Sequence, residues 1–415
     1  MKVDHCLRGC AKWTIAVMLG LALFFAAAKV VKLAREAQGR SGPGSYYELK
    51  VLIPAGKTLV VLEVKKNWYK VKYSNLEVWI SENSLLTETT NAAQATEPFA
   101  MESPSLKASP AAISAAIKGF WTRYARAADR TKLAELPVDG YDIPVAEYES
   151  FEGERSAEVS REALLKRYPI EKPYKAGRVP YVKEQSIGYS IASSVAEGPL
   201  VKVGPAAIYV NSVGRYIAEG TERSDISFKF YILDTDRVNA VSCPGGYIII
   251  TRGLLGLIGD EAELAALLAH EMAHVIAGHG MKAVIDDKMR ILADEKFEEL
   301  DQELGNDPAE LEELIAITNR ATSIANSPKL DEYEFEADRM AMRYLARSGY
   351  DLGGMIRLLS DLKRKHDDTI DIFDLNYRNH PDFGKRLGFS VDAVKNYRKY
   401  TGLSFAEYFK THMVF

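Results

Sequence analysis

The sequence feature that most constrains the fold is an apolar helical run, LLAHEMAHV, at residues 267–275. At 3.6 residues per turn, His270 and His274 lie one above the other on the same helix face. Two imidazoles at this spacing can bind one zinc ion, and Glu271 lies beside them to hold a water molecule. Alone, the pattern also fits two structural histidines and a surface glutamate, so the zinc interpretation needs further support from the chain.

Length and composition exclude several classes of protein. The chain has 415 residues, enough for two or three domains, and its 47% hydrophobic and 27% charged content is typical of a globular protein. The net charge of −4 gives no general basic field, so nucleic acid is not an expected partner. Of the three cysteines only Cys243 lies in the predicted folded part, and no intrachain disulfide is expected there.

The N-terminus combines basic residues with the apolar run WTIAVMLGLALFFAAA at 13–28. A basic start, an apolar centre and small residues are typical of a secretory signal peptide, and the same run is nearly long enough for a membrane span. We therefore predict that residues 1–40 form either a cleaved signal peptide or a single membrane anchor. If the segment is uncleaved, residues 13–31 are the predicted contact with the membrane.

Residues 44–86 are predicted to form a small all-β barrel, with strands at 58–64, 68–73 and 78–80 separated by turn residues. This stretch resembles the bacterial type of Src-homology-3 domain through Asn67, Trp68, Tyr69, Lys70, Val71, Trp79, Ile80 and Leu85. The resemblance implies a cell-wall or peptide ligand. The alternative is that the two tryptophans simply fill the core of the barrel.

Residues 87–116 are rich in Ala, Ser, Thr and Pro and are predicted to be a linker, which leaves 117–415 for the main domain. Hydrophobic patterns predict helices at 183–197, 206–219 and 332–345, and strands at 227–233, 238–242 and 247–251. The fold class is therefore α+β: a mainly helical domain with a small sheet, preceded by the small barrel. The acidic stretches at 294–303 and 310–313 are either a solvated helix face or a flap over the cleft.

A catalytic zinc site needs a third protein ligand from elsewhere in the chain. A histidine six residues after the second ligand would supply it in one class of zinc peptidase, but His279 comes five residues after His274. Glu334 is the better candidate, because the spacing E-x-x-x-D places Glu334 and Asp338 on one helix face. Glu334 would then bind the metal while Asp338 accepts the N–H of a ligand histidine. Glu336 faces another side and is the weaker candidate.

Taken together, these motifs resemble the zinc metallopeptidases that include the heat-shock membrane peptidase HtpX, the CAAX prenyl proteases and the periplasmic assembly protease BepA. The resemblance covers about residues 183–390 and implies that the mainly helical domain is a metallopeptidase domain of the zincin type. It rests on Asn239, Ala240, Pro244, Gly245, Gly246, Tyr247, Ile248, Thr251, Gly253, Leu254, Leu255, His270, Glu271, His274, Glu334, Ala337 and Asp338, with the run Tyr209–Gly214 and with His380, Pro381 and Arg386 near the end. A single apolar segment near the N-terminus is more similar to the periplasmic branch than to the branches with several membrane spans. Cys243 departs from the family pattern, and is either a buried small hydrophobe or a redox-sensitive latch.

The resemblance implies peptide hydrolysis with one Zn²⁺ per chain, in which zinc lowers the pKa of its water and Glu271 takes the water proton. His380 and Arg386 would stabilise the oxyanion. Two alternatives remain: His380 occupies the open zinc position in a resting state, or Arg386 anchors the C-terminal helices. The strand near Asn239, Ala240 and Val241 would pair with an extended substrate.

We therefore expect a zinc endopeptidase acting on misfolded or misassembled proteins in the bacterial cell envelope, either periplasmic and anchored in the inner membrane or exported. The alternative function is a protease-like chaperone or binding protein tethered to the envelope. The intact Glu271 argues against this alternative, because binding needs no general base.

Overall fold

The structure is a computed structural model. It describes residues 29–85, 117–118, 121, 136–141, 143–170, 181–196, 198–279, 331–373, 382–397 and 399–413. Four features singled out in the sequence lie outside these ranges: the apolar run at 13–28, the predicted linker at 87–116, the acidic stretches at 294–313, and His380. No helix in the described part of the chain has the length and apolar composition of a membrane span.

The N-terminal part is a six-stranded antiparallel sheet with the strand order β1-β4-β5-β6-β2-β3. Its strands are β1 Val30–Lys32, β2 Ala37–Arg40, β3 Leu49–Ile53, β4 Thr58–Lys65, β5 Trp68–Tyr73 and β6 Leu76–Ser81. The last three confirm the strands expected from the sequence. The Src-homology-3-like assignment of this sheet stays a prediction, as does its ligand.

The sheet starts earlier in the chain than residue 44, where we expected the barrel to begin. Residues 30–32 and 37–40, which we grouped with the N-terminal segment, form two of its strands. Val30 pairs with Val60, a distant partner that gives no local pattern. Within the sheet the side chains of Trp68 and Trp79 are only 1% and 8% exposed, so both indoles are buried.

A second, three-stranded sheet lies in the main domain, with the order β7-β9-β8. Its strands are β7 Lys229–Leu233, β8 Ala240–Cys243 and β9 Tyr247–Thr251. β7 runs parallel to β9, and β8 pairs antiparallel to it through the turn Pro244–Gly246. Gly245 in this turn has φ 72°, a conformation that favours glycine. Cys243 is buried beside the turn.

The rest of the described main domain is helical. Its helices are α1 Val145–Glu158, α2 Arg161–Arg167, α3 Tyr181–Val195, α4 Pro205–Ala218, α5 Arg252–Leu255, α6 Glu261–Ala277, α7 Asp331–Ser348, α8 Gly353–Asp368, α9 Phe383–Val394 and α10 Ala406–His412. α6 is the central element: it packs against α7, α8, α4 and β8. The predicted α+β class with a mainly helical main domain is confirmed. The N-terminal part, which we expected to be a small barrel, is an open six-stranded sheet in the described residues.

Local sequence signals set both ends of α6. The Asp260 carboxylate accepts the backbone N–H of Glu263 at 2.9 Å, and Glu263 Oε2 accepts the N–H of Gly259 at 2.7 Å. This reciprocal cap satisfies backbone donors that a helix start leaves open. At the other end, Gly278 takes the left-handed conformation with φ 69° and ends the helix.

A buried ion pair fixes the first turn of α6. Glu261 is fully buried and accepts hydrogen bonds from Arg155 Nε at 3.0 Å and from the Tyr350 hydroxyl at 2.8 Å. The Tyr209 hydroxyl also donates to this carboxylate. Because the charge is paired and its oxygens are bonded, its burial is tolerated, and α1, α4 and α6 are held together at this point.

The N-terminal sheet docks on the main domain through the loop after α4. The Ser224 hydroxyl, which is fully buried, accepts hydrogen bonds from the side-chain amides of Asn67 at 3.1 Å and Asn83 at 3.0 Å. It also lies 3.1 Å from the Ser81 hydroxyl. Arg35 adds an ion pair to Asp225 at 3.1 Å. The two parts of the chain therefore share a polar interface.

Candidate metal centre

Three buried side chains from α6 and α7 converge on one point. His270 Nε2 lies 3.1 Å from His274 Nε2. Glu334, on α7, places its Oε2 3.3 Å from His270 Nε2 and its Oε1 3.2 Å from His274 Nε2. In the described part of the chain, these three residues are the only group of three or more His, Cys, Asp or Glu side chains placed so that they could hold a metal ion.

The geometry of this group fits zinc. Ligand atoms about 2.0–2.1 Å from a tetrahedral zinc ion lie roughly 3.3 Å from one another. The three separations here, 3.1, 3.3 and 3.2 Å, match that spacing. Two imidazoles and one carboxylate are also the donor set of many catalytic zinc sites, which keep a fourth position for water or substrate.

The predicted neighbour of the ligands, Asp338, lies one turn further along α7. Its Oδ1 is 2.9 Å from His270 Nδ1, the ring nitrogen that points away from the other ligands. A carboxylate at this nitrogen fixes the ring orientation and leaves Nε2 for a metal. The E-x-x-x-D spacing thus brings both carboxylates to the centre on one helix face.

Arg386, from α9, binds the same carboxylates. Its Nη1 lies 2.8 Å from Glu334 Oε2, and its Nε and Nη2 donate to the two oxygens of Asp338 at 2.9 and 2.7 Å. The guanidinium is buried. Its Nη2 also lies 3.3 Å from His270 Nδ1 and 3.4 Å from His270 Nε2. Of the roles considered from the sequence, this placement matches a residue that anchors neighbouring elements, since these contacts all go to protein side chains.

The charges around His270 favour a cation. Burial and the positive charge of Arg386 lower the pKa of His270, but Glu334 and Asp338 raise it by more, so the net shift is upward. Burial raises the pKa of Asp338, but Arg386 and His270 lower it further, to about 2. The Asp338 carboxylate is therefore ionised at any physiological pH.

The remaining predicted residues are placed as follows. Glu271 is buried on α6, next in the chain to His270. Asn239 precedes β8, and Ala240 and Val241 belong to it. β8 is one of the two edge strands of its sheet in the described residues, and α6 packs against it. Arg386 is brought to the centre, whereas His380 cannot be placed.

One neighbour of the candidate ligands was not predicted from the sequence. His279 was rejected as a third ligand because it comes five, not six, residues after His274, but its Nδ1 lies 2.8 Å from His274 Nδ1. The glycine before it was the available signal: a glycine at the end of a helix reverses the chain, so the next side chain returns toward the last turn.

The part of the chain that contains this centre is similar in sequence to known peptidases. Residues 207–412 match the model of peptidase family M48. Over 183 residues the chain is 25% identical to the beta-barrel assembly-enhancing protease of Escherichia coli (strain K12), covering 43% of this chain and 37% of that protein. Over 94 residues it is 30% identical to the mitochondrial metalloendopeptidase OMA1 of Schizosaccharomyces pombe, covering 23% and 28%. The matched region thus spans well under half the length of these relatives.

Proposed function

We propose, from the match of residues 207–412 to the model of peptidase family M48, that the chain is a zinc-dependent endopeptidase of this kind. The observation that carries the proposal is the convergence of His270, His274 and Glu334 within tetrahedral spacing. His270, His274 and Glu334 would hold one Zn²⁺ per chain. When bound, this ion supplies Lewis-acid polarisation of the scissile carbonyl and of the attacking water.

Glu271 is the proposed general base. The support for this role is that Glu271 is buried on α6 immediately after His270, in the order H-E-x-x-H that zinc peptidases use for two ligands and a base. In this role Glu271 takes a proton from the attacking water and delivers it to the leaving amine, so that the peptide nitrogen departs as a neutral group.

Asp338 and Arg386 are proposed to position the ligands. Asp338 accepts the Nδ1–H of His270, and Arg386 holds the carboxylates of Asp338 and Glu334 at fixed separations. Because its bonds are taken up in this way, we assign Arg386 a positioning role and no contact with the oxyanion.

Asn239, Ala240 and Val241 are proposed to guide the substrate. An edge strand presents backbone groups to which an extended peptide can add as a further strand. Such recognition depends on the backbone, so it tolerates many sequences and suits unfolded segments.

We propose that the substrates are misfolded or misassembled proteins of the bacterial cell envelope. The support is the similarity to proteins named beta-barrel assembly-enhancing proteases, together with the signal-like run at 13–28. This run would deliver the chain to the envelope, either exported or anchored in the inner membrane.

The experiment that tests the activity compares binding and cleavage of one unfolded protein by the full chain. Wild type should cleave, and a chelator should stop cleavage until zinc is added back. Glu271→Gln should bind the protein without cleaving it, because the variant keeps the ligands and loses the base. Glu332→Gln, an exposed neighbour of the ligand Glu334, is the matched control and should cleave like wild type.

The second candidate function is a protease-like chaperone or binding protein. The observation that favours it is the N-terminal sheet, which docks on the main domain at Ser224. It predicts that wild type and Glu271→Gln bind the unfolded protein equally and that neither cleaves it. Cleavage by both would instead remove Glu271 from the role of general base.

A further inference from the structure

The turn after α6 brings a third histidine to the centre. In a continued helix, residue 279 would lie about 140° around the axis from His274. Gly278 ends the helix in the left-handed conformation, and its N–H bonds back to the carbonyls of His274 and Val275. This reversal carries His279 to the side of His274, where its side chain is buried.

The two hydrogen bonds of the His279 ring determine which of its nitrogens donates and which accepts. Its Nδ1 lies 2.8 Å from His274 Nδ1, and its Nε2 lies 3.0 Å from Glu336 Oε2. Only one proton fits between the two Nδ1 atoms, so one imidazole donates and the other accepts. Glu336 is a carboxylate that accepts, so a neutral His279 carries its one proton on Nε2 and accepts at Nδ1.

We propose that His279 and Glu336 position the ligand His274 by fixing its tautomer. Since His279 accepts at Nδ1, His274 carries its proton on Nδ1 and presents the lone pair of Nε2 to the metal. This inference rests on the proposed function, because it assigns a role toward the same zinc ion. It also assigns Glu336, the weaker ligand candidate in the sequence, a role other than metal binding, which is to accept the Nε2–H of His279.

The arrangement is built by the helix that supplies the third ligand. Tyr333 and Glu336 flank Glu334 on α7, and the Tyr333 ring stacks on the His279 ring with centroids 4.3 Å apart and planes at 10°. α7 thus orients both ligand histidines: Asp338 acts directly on His270, and Glu336 acts on His274 through His279. A partner of this kind typically contributes about 10- to 100-fold to metal affinity.

The test is a matched pair of substitutions in the full chain. In His279→Asn, the side-chain oxygen occupies nearly the position of Nδ1 and accepts the same bond. In His279→Leu, a methyl group of similar shape takes that position and accepts nothing. Both lose the stack on Tyr333, so their difference isolates the hydrogen bond. The readouts are zinc affinity by competition with a chelating indicator, and the visible spectrum of the cobalt-loaded protein, which reports ligand geometry.

We expect His279→Leu to bind zinc about 10- to 100-fold more weakly than wild type, with an altered cobalt spectrum. His279→Asn should retain most of the affinity and the spectrum. Equal affinity in wild type and both variants would overturn the inference and leave the proposed function standing. An equal loss in both would also overturn it, because packing of the ring would then explain the effect. Failure of wild type to bind zinc would overturn the proposed function and this inference together.

Discussion

Arg386 donates two hydrogen bonds to the Asp338 carboxylate, from Nε to Oδ2 at 2.9 Å and from Nη2 to Oδ1 at 2.7 Å. The same guanidinium lies 2.8 Å from Glu334. One cation from α9 therefore balances two buried carboxylates of α7, one of which is a proposed zinc ligand. Zinc and Arg386 offset the same negative charge, so their contributions to stability are coupled.

Replacing Arg386 by methionine tests this coupling. We expect Arg386→Met to lower the free energy of unfolding of the zinc-stripped protein by about 3–5 kcal/mol, because two buried carboxylates lose their counter-charge. Zinc should then raise the melting temperature of the variant by more than it raises that of wild type. The control is Lys385→Met, an exposed neighbour. Equal stability of the stripped variant and stripped wild type would contradict the anchoring role.

The centre was predictable from sequence because short-range spacing decides it. H-E-x-x-H and E-x-x-x-D each place two side chains on one helix face, and Asp260 caps α6 by accepting the backbone N–H of Glu263, three residues later in the chain. The two helices that meet there are both long and strongly patterned, and the structure places their side chains together.

The secondary-structure elements that were not predicted are stabilised by residues far away in the sequence. β1 forms because Val30 pairs with Val60, and the sequence around Val30 gives no strand period of its own. α1, in a stretch that we left unassigned, is held by Arg155, whose partner Glu261 is 106 residues away. Neither pairing leaves a signal in the local sequence.

Two glycines in helices of the main domain should respond in opposite ways to alanine. A Cβ at Gly188 in α3 would lie 1.8 Å from the carbonyl oxygen of Pro244, a backbone atom of the turn before β9. We expect Gly188→Ala to lower the free energy of unfolding by about 2–3 kcal/mol or more. A Cβ at Gly153 in α1 meets nothing within 4 Å. Gly153→Ala should raise this free energy by about 0.5–1 kcal/mol. Denaturant titration measures both, and a neutral Gly188→Ala would show that α3 is not packed this closely.

Lys229 should give the protein a stability that rises with pH. Its ammonium group is buried, donates to Gln185 Oε1 at 2.8 Å and lies 4.3 Å from the Tyr247 ring centre. Burial lowers the pKa of Lys229 to about 7, with nearby Asp139 opposing this shift. Between pH 7 and about 10.5 the unfolded chain holds this proton and the folded chain does not, so folding becomes more favourable as pH rises.

The matching variant is Lys229→Met, which keeps the length of the side chain and removes the charge. The free energy of unfolding of wild type minus that of the variant should grow from pH 7 to pH 10 by a few kcal/mol, on the order of 3–5. Other groups titrate in both proteins and cancel in the difference. A difference that stays constant over this range would show that the pKa of Lys229 is near its ordinary value.

The most direct test of the account is the zinc content of the purified full chain, compared with Glu334→Ala and Glu332→Ala. Both glutamates lie in the first turn of α7, but only Glu334 is buried at the centre. We predict about one zinc ion per chain in wild type and in Glu332→Ala, and little or none in Glu334→Ala. Zinc retained in full by Glu334→Ala, or absent from wild type, would contradict the proposal that His270, His274 and Glu334 form a zinc site.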